Sequence, residues 1–135
     1  YGPGQNMTNL KQGMLSIYLA QFLKEEKVIV KGSGDRYRDL IYIDDVIEAI
    51  TRTVNTKDSF NEIINIGTGN KVTVDDILEA ITIELKTDKE ILYMDGTPGD
   101  LHGVTACTGK MNKILGTWPK TELKQGLEKM INSLS

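Results

Sequence analysis

Cysteine and histidine are nearly absent from this sequence: its 135 residues include one of each, Cys107 and His102. A single cysteine excludes an internal disulfide and a cysteine-rich zinc site, and a single histidine excludes the usual two-histidine zinc motifs. We therefore expect no metal site. We interpret Cys107 as a small buried hydrophobic residue rather than a reactive thiol.

Long apolar runs and an excess of positive charge are also lacking. No apolar run exceeds a few residues, which excludes a membrane-spanning helix and the core of a signal peptide. The formal net charge is −3, and the aromatic residues (6%) do not alternate with basic ones. Neither nucleic acid nor an anionic membrane surface is an expected partner. We expect a soluble, cytoplasmic protein.

The composition is otherwise that of an ordinary globular protein, with 39% hydrophobic residues, 26% charged residues and 13 glycines. A chain of this length can bury a core without a disulfide or metal. We see no internal domain boundary and treat residues 1–135 as one unit. Because the chain opens at Tyr1 without an initiator methionine, we expect it to be a piece of a longer protein.

Apolar spacing and β-branched runs predict alternating helices and strands. The predicted helices cover residues 8–24, 44–55, 74–85, 109–115 and a final stretch from about 121. The predicted strands cover residues 28–30, 40–43, 60–66 and 90–94. This alternation indicates an α/β or α+β architecture rather than an all-α or all-β one.

Two pairs of residues have the spacing of a capping box at a helix start, Asp45 with Glu48 and Thr73 with Asp76. In the second predicted helix we expect an apolar face to be buried. Its members are Val46, Ile47, Ile50 and Val54.

Two of the three arginines, Arg36 and Arg38, lie in one short segment that begins with Gly32-Ser-Gly34. A guanidinium binds phosphate through two parallel hydrogen bonds, which lysine cannot reproduce, so the segment suits a bound phosphoryl group. The alternative, on spacing alone, is that these arginines pair at the surface with Asp35 or Asp39.

The remaining polar motifs are open to two interpretations. The glycine pairs at 32–34 and 67–69 lack the third glycine of a dinucleotide fingerprint, and we interpret them as turns. Asp100 either accepts a hydrogen bond from a ligand hydroxyl or stabilises a turn beside Gly99.

Six segments follow one another in the order, and at about the spacing, of one known family. They are YGPGQN at 1–6, VIVKGSGDRYRDLIYIDDVIEAI at 28–50, INIGTG at 64–69, TPGDLHGV at 97–104, KMNKILG at 110–116 and PKTELKQGL at 119–127. Through them the chain resembles the extended short-chain dehydrogenase/reductase enzymes that act on nucleotide sugars. Within that family it looks most similar to UDP-glucose 4-epimerase.

This resemblance implies an α/β fold, the C-terminal portion of a Rossmann-type extended short-chain dehydrogenase/reductase, with short strands alternating with amphipathic helices. The N-terminal Rossmann half that binds NAD is not in the sequence. Residues 60–66 resemble a strand that returns to the Rossmann sheet. We expect self-association, because apolar faces and strand edges that the absent half covers would be open.

The implied activity belongs to the whole enzyme, in which NAD oxidises a sugar hydroxyl and returns hydride to the opposite face. The family's glycine-rich NAD loop and its Tyr-x-x-x-Lys motif do not occur in this sequence. We therefore expect no catalytic or cofactor-binding residue, no bound NAD and no turnover from this chain alone. The alternatives are a fragment of a sugar-nucleotide 4,6-dehydratase or decarboxylase, and a non-catalytic nucleotide-binding remnant.

The resemblance also implies substrate-binding residues for a nucleotide sugar, with a UDP-hexose as the expected ligand. Arg38 matches the arginine that contacts the diphosphate, and Asp100 matches an acidic residue that helps to hold the nucleotide. Ile29 and Lys31 match the strand that lies along the base, largely through main-chain groups. The remaining two candidates, Gln5 and Asn6, open the substrate loop.

The sequence departs from the family pattern at three places, one of which is the tryptophan after the Leu-Gly pair, displaced by one position to Trp118. Thr97 stands where the family often has an arginine, so one phosphate contact is either missing or supplied from elsewhere. The segment 106–110 lacks the Asp and Ser that cap the following helix, and we expect that helix start to be weaker by roughly 1 kcal/mol.

Overall fold

A computed structural model describes residues 1–8, 13–96 and 98–134. Within these residues helices and short strands alternate along the chain. The helices are α1 (Met14–Lys24), α2 (Ile43–Asn55), α3 (Val74–Leu85), α4 (Gly109–Leu115) and α5 (Leu123–Asn132), with a 3-10 turn at Lys57–Ser59. The strands are β1 (Val28–Lys31), β2 (Tyr37–Arg38), β3 (Val72–Thr73), β4 (Ile91–Met94) and β5 (Gly103–Val104). The predicted α/β class is confirmed.

The strands form two small sheets. β1 and β4 pair in parallel, with Val28 opposite Ile91 and Lys31 opposite Met94. β2 is the middle strand of the second sheet and pairs antiparallel with β3 and parallel with β5. Arg38 is therefore placed on a strand with a hydrogen-bonded neighbour on each side.

One apolar core joins α1, β1, α3 and α5. Val28 and Val30 of β1 are fully buried, and the apolar residues of α3 pack with them. The buried members from the helices are Leu15, Tyr18, Leu19, Phe22, Val74, Ile77, Leu78, Ile81, Leu127 and Met130. Burial of this many large side chains is the main stabilising contribution to the fold.

The predicted helices are confirmed, three of them with shifted starts. The helix predicted over 8–24 is observed from Met14, and residues 9–12 of that prediction lie outside the described residues. Thr73 and Asp76 form the predicted capping box of α3, with both reciprocal hydrogen bonds present. The last helix begins at Leu123, two residues after the predicted start. Gly116 ends α4 with φ +76°, as its position predicts.

The capping box predicted for Asp45 and Glu48 is wrong. The residue before α2 is Tyr42, and it makes no side-chain cap bond. Asp45 is buried and its Oδ2 accepts a hydrogen bond from the Thr121 N–H at 2.8 Å. Glu48 forms an ion pair with Arg52 one turn along the same helix. The carboxylate of Asp45 thus serves a distant segment, which spacing along the chain cannot reveal.

Two predicted strands are also wrong. Residues 40–42 lead into α2, and the strand of that region lies upstream at Tyr37–Arg38. Residues 60–66 form no strand, and Phe60 and Ile63 are 64% and 87% exposed. A strand requires a hydrogen-bonded neighbour as well as β-branched residues, and the described residues provide none there. The two-residue strands β3 and β5 were not predicted, because pairs this short carry no periodicity.

The expected burial of the α2 apolar face is wrong as well. Ile47, Ile50 and Val54 are 53%, 57% and 74% exposed, and Val46 is only half-buried. Ala49 and Asp45 are the residues of this helix that the fold buries. Together with Ile43, which is also exposed, Ile47, Ile50 and Val54 form a stripe that we call the α2 apolar face.

Cys107 is exposed, contrary to the burial expected for it. It lies in the irregular segment between β5 and α4. No helix formed by the described residues is long and apolar enough to cross a membrane.

Candidate nucleotide-binding cleft

A cleft of about 1000 Å³ runs along α1 and the edge of β1 opposite β4 to the arginine segment. Four of the six predicted site residues line it, namely Ile29, Lys31, Arg38 and Asp100. The same cleft is lined by Arg36 and by residues of α1, including Ile17, Tyr18 and Gln21. The fold therefore brings together residues from three separate stretches of sequence.

Arg38 projects from the middle strand of the β3-β2-β5 sheet. Its Nη1 donates to the main-chain oxygens of Tyr37 at 2.7 Å and Leu101 at 3.1 Å. Its Nη2 lies 3.7 Å from Oδ1 of Asp100. One edge of the guanidinium is thus anchored on the protein, and about a quarter of the side chain is open to solvent.

Arg36 connects three parts of the cleft. Its Nε donates to the Ser33 oxygen at 3.1 Å, its Nη2 donates to the Lys31 oxygen and its Nη1 pairs with Oδ2 of Asp100. Its side chain is only 12% exposed. The pattern of two nearby arginines pointed to phosphate, but it did not indicate that Arg36 would make these internal bonds.

The alternative of surface pairs with Asp35 or Asp39 is not observed. Asp35 accepts a hydrogen bond from the Ser33 hydroxyl. Both arginines face Asp100 instead, which is distant in sequence. The result is a group of two cations and one anion at the end of the cleft.

Asp39 holds the loops beside Arg38 together. Its carboxylate accepts from the Thr68 N–H at 2.9 Å, the Thr68 hydroxyl at 2.6 Å, the Gly69 N–H at 2.8 Å and the Ala106 N–H at 3.0 Å. Burial on its own would raise the pKa of Asp39, but these hydrogen bonds outweigh it and hold the pKa below its usual value.

The edge of β1 that faces the cleft is covered by two side chains. The Val28 N–H donates to the Glu90 oxygen at 2.9 Å, and the Gly32 N–H donates to the Met94 oxygen at 2.8 Å. Because alternate residues of a strand direct their main-chain groups to opposite edges, those of Ile29 and Lys31 point away from β4. The Gln21 amide accepts from the Ile29 N–H at 2.6 Å and donates to the Ile29 oxygen at 3.4 Å. The Lys31 oxygen accepts from Arg36.

Sequence reasoning missed Gln21. The available signal was its position three residues after Tyr18 and four after Ile17, which places a polar residue on the inner face of α1. A half-buried glutamine beside apolar residues needs a hydrogen-bond partner, and here that partner is the main chain of Ile29.

Gln5 and Asn6 lie outside the set of residues that line the cleft. Gln5 Nε2 donates to the Ser16 hydroxyl at 2.9 Å. Asn6 Oδ1 accepts from the N–H and hydroxyl of Thr8, at 2.8 and 2.7 Å. In this arrangement both side chains order the segment before α1. Thr97, where the arginine of the family pattern is replaced, lies outside the described residues.

Both glycine loops have the geometry of turns. Gly32 and Gly69 have φ +86° and +80°, which confirms their interpretation as turns. A Cβ at Gly34 would overlap the Asp75 carboxylate, and such an anion opposes an approaching phosphate. At the second loop, Asp39 already accepts from the N–H groups of Thr68 and Gly69 that a pyrophosphate would need. The described residues also contain no group of three or more His, Cys, Asp or Glu placed to hold a metal ion.

Comparison with known proteins points to one family. Residues 1–67 match the profile of the NAD dependent epimerase/dehydratase family. The fold superposes on a crystal structure of UDP-glucose 4-epimerase with UDP-glucose from Thermotoga maritima, with a TM-score of 0.89 and 30% identity. That match covers 99% of this chain and 42% of the other.

Curated relatives in the same family carry different activities. A putative UDP-glucose 4-epimerase of Methanocaldococcus jannaschii is 31% identical over 98% of this chain and 42% of its own length. UDP-glucuronic acid decarboxylase 6 of Arabidopsis thaliana is 29% identical over 96% of this chain and 37% of its own length.

The chain thus spans about two fifths of the length of these relatives. Its helices and strands match the C-terminal part of the Rossmann-type epimerase structures. Residues 1–67 thus match the NAD dependent epimerase/dehydratase family, and over nearly its whole length the chain is similar to nucleotide-sugar enzymes of that kind.

Proposed function

We propose that residues 1–135 are the nucleotide-sugar-binding part of an NAD-dependent nucleotide-sugar epimerase, with UDP-glucose 4-epimerase as the most specific assignment. The observation that carries this proposal is the convergence of Arg38, Arg36 and Asp100 at one end of a cleft along the edge of β1 opposite β4. The family resemblance independently supports Arg38 and Asp100.

In this proposal the diphosphate binds at Arg38. One edge of its guanidinium is held by two main-chain oxygens, so the group needs little further ordering when an anion arrives. Its Nη2 lies 3.7 Å from Asp100 Oδ1, farther than a hydrogen bond, so this nitrogen can donate to a phosphate at the open side of the guanidinium. A phosphate placed there gains charge-assisted hydrogen bonds from a planar, pre-positioned donor.

The nucleoside lies along β1 in this proposal. The main-chain groups of Ile29 and the Lys31 oxygen face the cleft but already bond to Gln21 and Arg36, so the base lies against this covered edge. Asp100 offers a carboxylate oxygen to a ribose hydroxyl. The sugar then extends from Arg38 towards the N-terminal half of the enzyme. We include Gln5 and Asn6 as substrate-loop residues on the strength of the family resemblance alone.

NAD belongs to the other half in this proposal, because neither glycine loop of this chain suits a dinucleotide. We propose that the α2 apolar face is covered by that half. Ile47, Ile50 and Val54 are all more than half exposed, and a contiguous apolar stripe of this kind marks an interface. The contribution of this chain is to orient the sugar against the cofactor.

The assignment to UDP-glucose 4-epimerase rests on the 31% identical relative and the 30% identical structure described above. The decarboxylase relative supports a second candidate at almost the same identity. Both candidates share the nucleotide, so a binding experiment on this chain tests the common part of the proposal.

That experiment is a calorimetric titration of the chain with UDP, compared with Arg38→Ala. We expect the unmodified chain to bind and Arg38→Ala to lose at least about tenfold in affinity, because it removes charge-assisted hydrogen bonds to phosphate. The matched control is Arg52→Ala, which removes the same charge from α2, away from the cleft. Absence of binding at millimolar UDP would overturn the proposal and favour a structural remnant.

A further inference from the structure

Arg36 makes contacts that differ in kind from those of Arg38. All three of its nitrogen atoms donate to the protein itself, to Ser33, Lys31 and Asp100. Its side chain is half as exposed as that of Arg38, at 12% against 26%. A guanidinium this occupied is poorly available to a ligand phosphate.

Two of the acceptors of Arg36, the Lys31 oxygen and Asp100 Oδ2, lie at the end of the cleft where we propose that the nucleoside binds. The Lys31 oxygen lies on the edge of β1 opposite β4, and Asp100 Oδ2 lies on the loop after β4. Held by this bond, Asp100 keeps its other oxygen, Oδ1, directed towards Arg38 at 3.7 Å. Arg36 therefore fixes the distance between the strand edge and the carboxylate.

We propose that Arg36 is a positioning residue for the nucleoside: it holds the β1 edge and Asp100 in the arrangement that a base and ribose require, while Arg38 binds the diphosphate. This inference rests on the proposed function. It implies that changing Arg36 weakens binding of the nucleoside, whereas changing Arg38 weakens binding of the diphosphate.

Lysine is the informative replacement at Arg36. It retains the positive charge but has a single donor group, so it cannot reach Ser33, Lys31 and Asp100 together. A purely electrostatic role would survive Arg36→Lys, whereas a positioning role would not. At Arg38 the matched change is Arg38→Lys, and Arg52→Lys is the control outside the cleft.

The experiment is a titration of the ¹⁵N-labelled chain with uridine, pyrophosphate and UDP, followed by chemical-shift changes. For Arg36→Lys we expect the affinities for uridine and UDP to fall by the same factor, about tenfold, with pyrophosphate unchanged. For Arg38→Lys we expect pyrophosphate and UDP to weaken and uridine to be unchanged. Arg52→Lys should change none of the three.

A double-mutant cycle separates positioning from general loosening of the fold. If Arg36 acts through Asp100, the uridine affinity of Arg36→Lys combined with Asp100→Asn should exceed the value expected from adding the two single losses. Additive losses would show that Arg36 does not act through Asp100. The amide spectrum of each variant reports whether the fold is retained.

The outcomes distinguish the inference from the proposed function. If the unmodified chain binds UDP but Arg36→Lys weakens pyrophosphate, or leaves uridine unchanged, the inference fails and the proposed function stands. If the unmodified chain binds neither uridine nor UDP at millimolar concentration, the proposed function fails and the inference fails with it.

Discussion

Asp39 accepts two hydrogen bonds from Thr68, one from its main-chain N–H at 2.9 Å and one from its hydroxyl at 2.6 Å. With the bonds from Gly69 and Ala106, this carboxylate joins two loops to the end of β2. The loops lie beside Arg38, so the stability of this junction and the order of the cleft are linked.

Asp39→Asn is expected to lower the free energy of unfolding by about 2 kcal/mol, because an amide cannot accept from four donors and turns its own donors towards main-chain N–H groups. Urea unfolding followed by circular dichroism measures the change. The matched control is Asp58→Asn, at an exposed position in the 3-10 turn, where we expect little effect. Equal losses in both variants would contradict the role given to Asp39.

The pH dependence of stability follows from the same carboxylate and from Asp76. Hydrogen bonds from Thr73 lower the pKa of Asp76, as those from Thr68 and its neighbours lower that of Asp39. A depressed pKa in the folded state means that the unfolded state binds more protons in this range. The stabilisation is complete above about pH 5 and is lost as the pH falls through about 4 and below.

Measured between about pH 2.5 and 7, the free energy of unfolding should therefore decline on the acid side. Asp39→Asn should make that decline shallower, since it removes one of the titrating groups. An unchanged acid slope in Asp39→Asn would show that this carboxylate titrates alike in both states.

Contacts between residues close in the sequence could be predicted, whereas contacts between distant residues could not. Thr73 and Asp76 are three residues apart, and their capping box was predictable because both partners and the helix lie in one short stretch. Asp45 has the same kind of spacing with Glu48, yet its partner is Thr121. A carboxylate at a helix start satisfies whichever donor the tertiary fold brings closest, and spacing does not encode that donor.

Individual residues of the cleft could be predicted from the sequence, but the contacts between them could not. Guanidinium chemistry and the family resemblance both led to Arg38, and Asp100 came from the resemblance. The pairing of Asp100 with Arg36 depends on how the loop after β4 lies against the end of β1. Periodicity reports which side of an element faces the core, but it does not report which two loops meet.

The edge of β1 offers a prediction about Gln21. Gln21→Met keeps the size and helix propensity of the residue but leaves the Ile29 N–H without its acceptor, which should cost about 1 kcal/mol. Hydrogen exchange of the Ile29 amide should become faster. Gln125→Met, at an exposed position of α5, is the control, and a similar loss there would argue against a strand-edge role.

The α2 apolar face should tolerate charge. The double variant Ile47→Lys, Ile50→Lys is expected to change the free energy of unfolding by less than about 1 kcal/mol, because both side chains are more than half exposed. It should also abolish the self-association that we expect of this chain, as measured by sedimentation velocity.

The control for this variant is Ile81→Lys, at a fully buried position of α3. It should unfold the chain, since it places an unpaired charge in the core. Strong destabilisation by the α2 variant would show instead that this face is covered within the chain itself.

The parallel pairing of β1 with β4 has a consequence for how the chain folds. Val28 meets Ile91 only after the intervening residues, including α2 and α3, have been brought round, so a large loop must close before this pairing contributes. We expect the docking of β4 to be a late and slow event. Until it occurs, β1 presents main-chain groups along the edge that β4 later covers, and the half-folded chain is then most prone to aggregation.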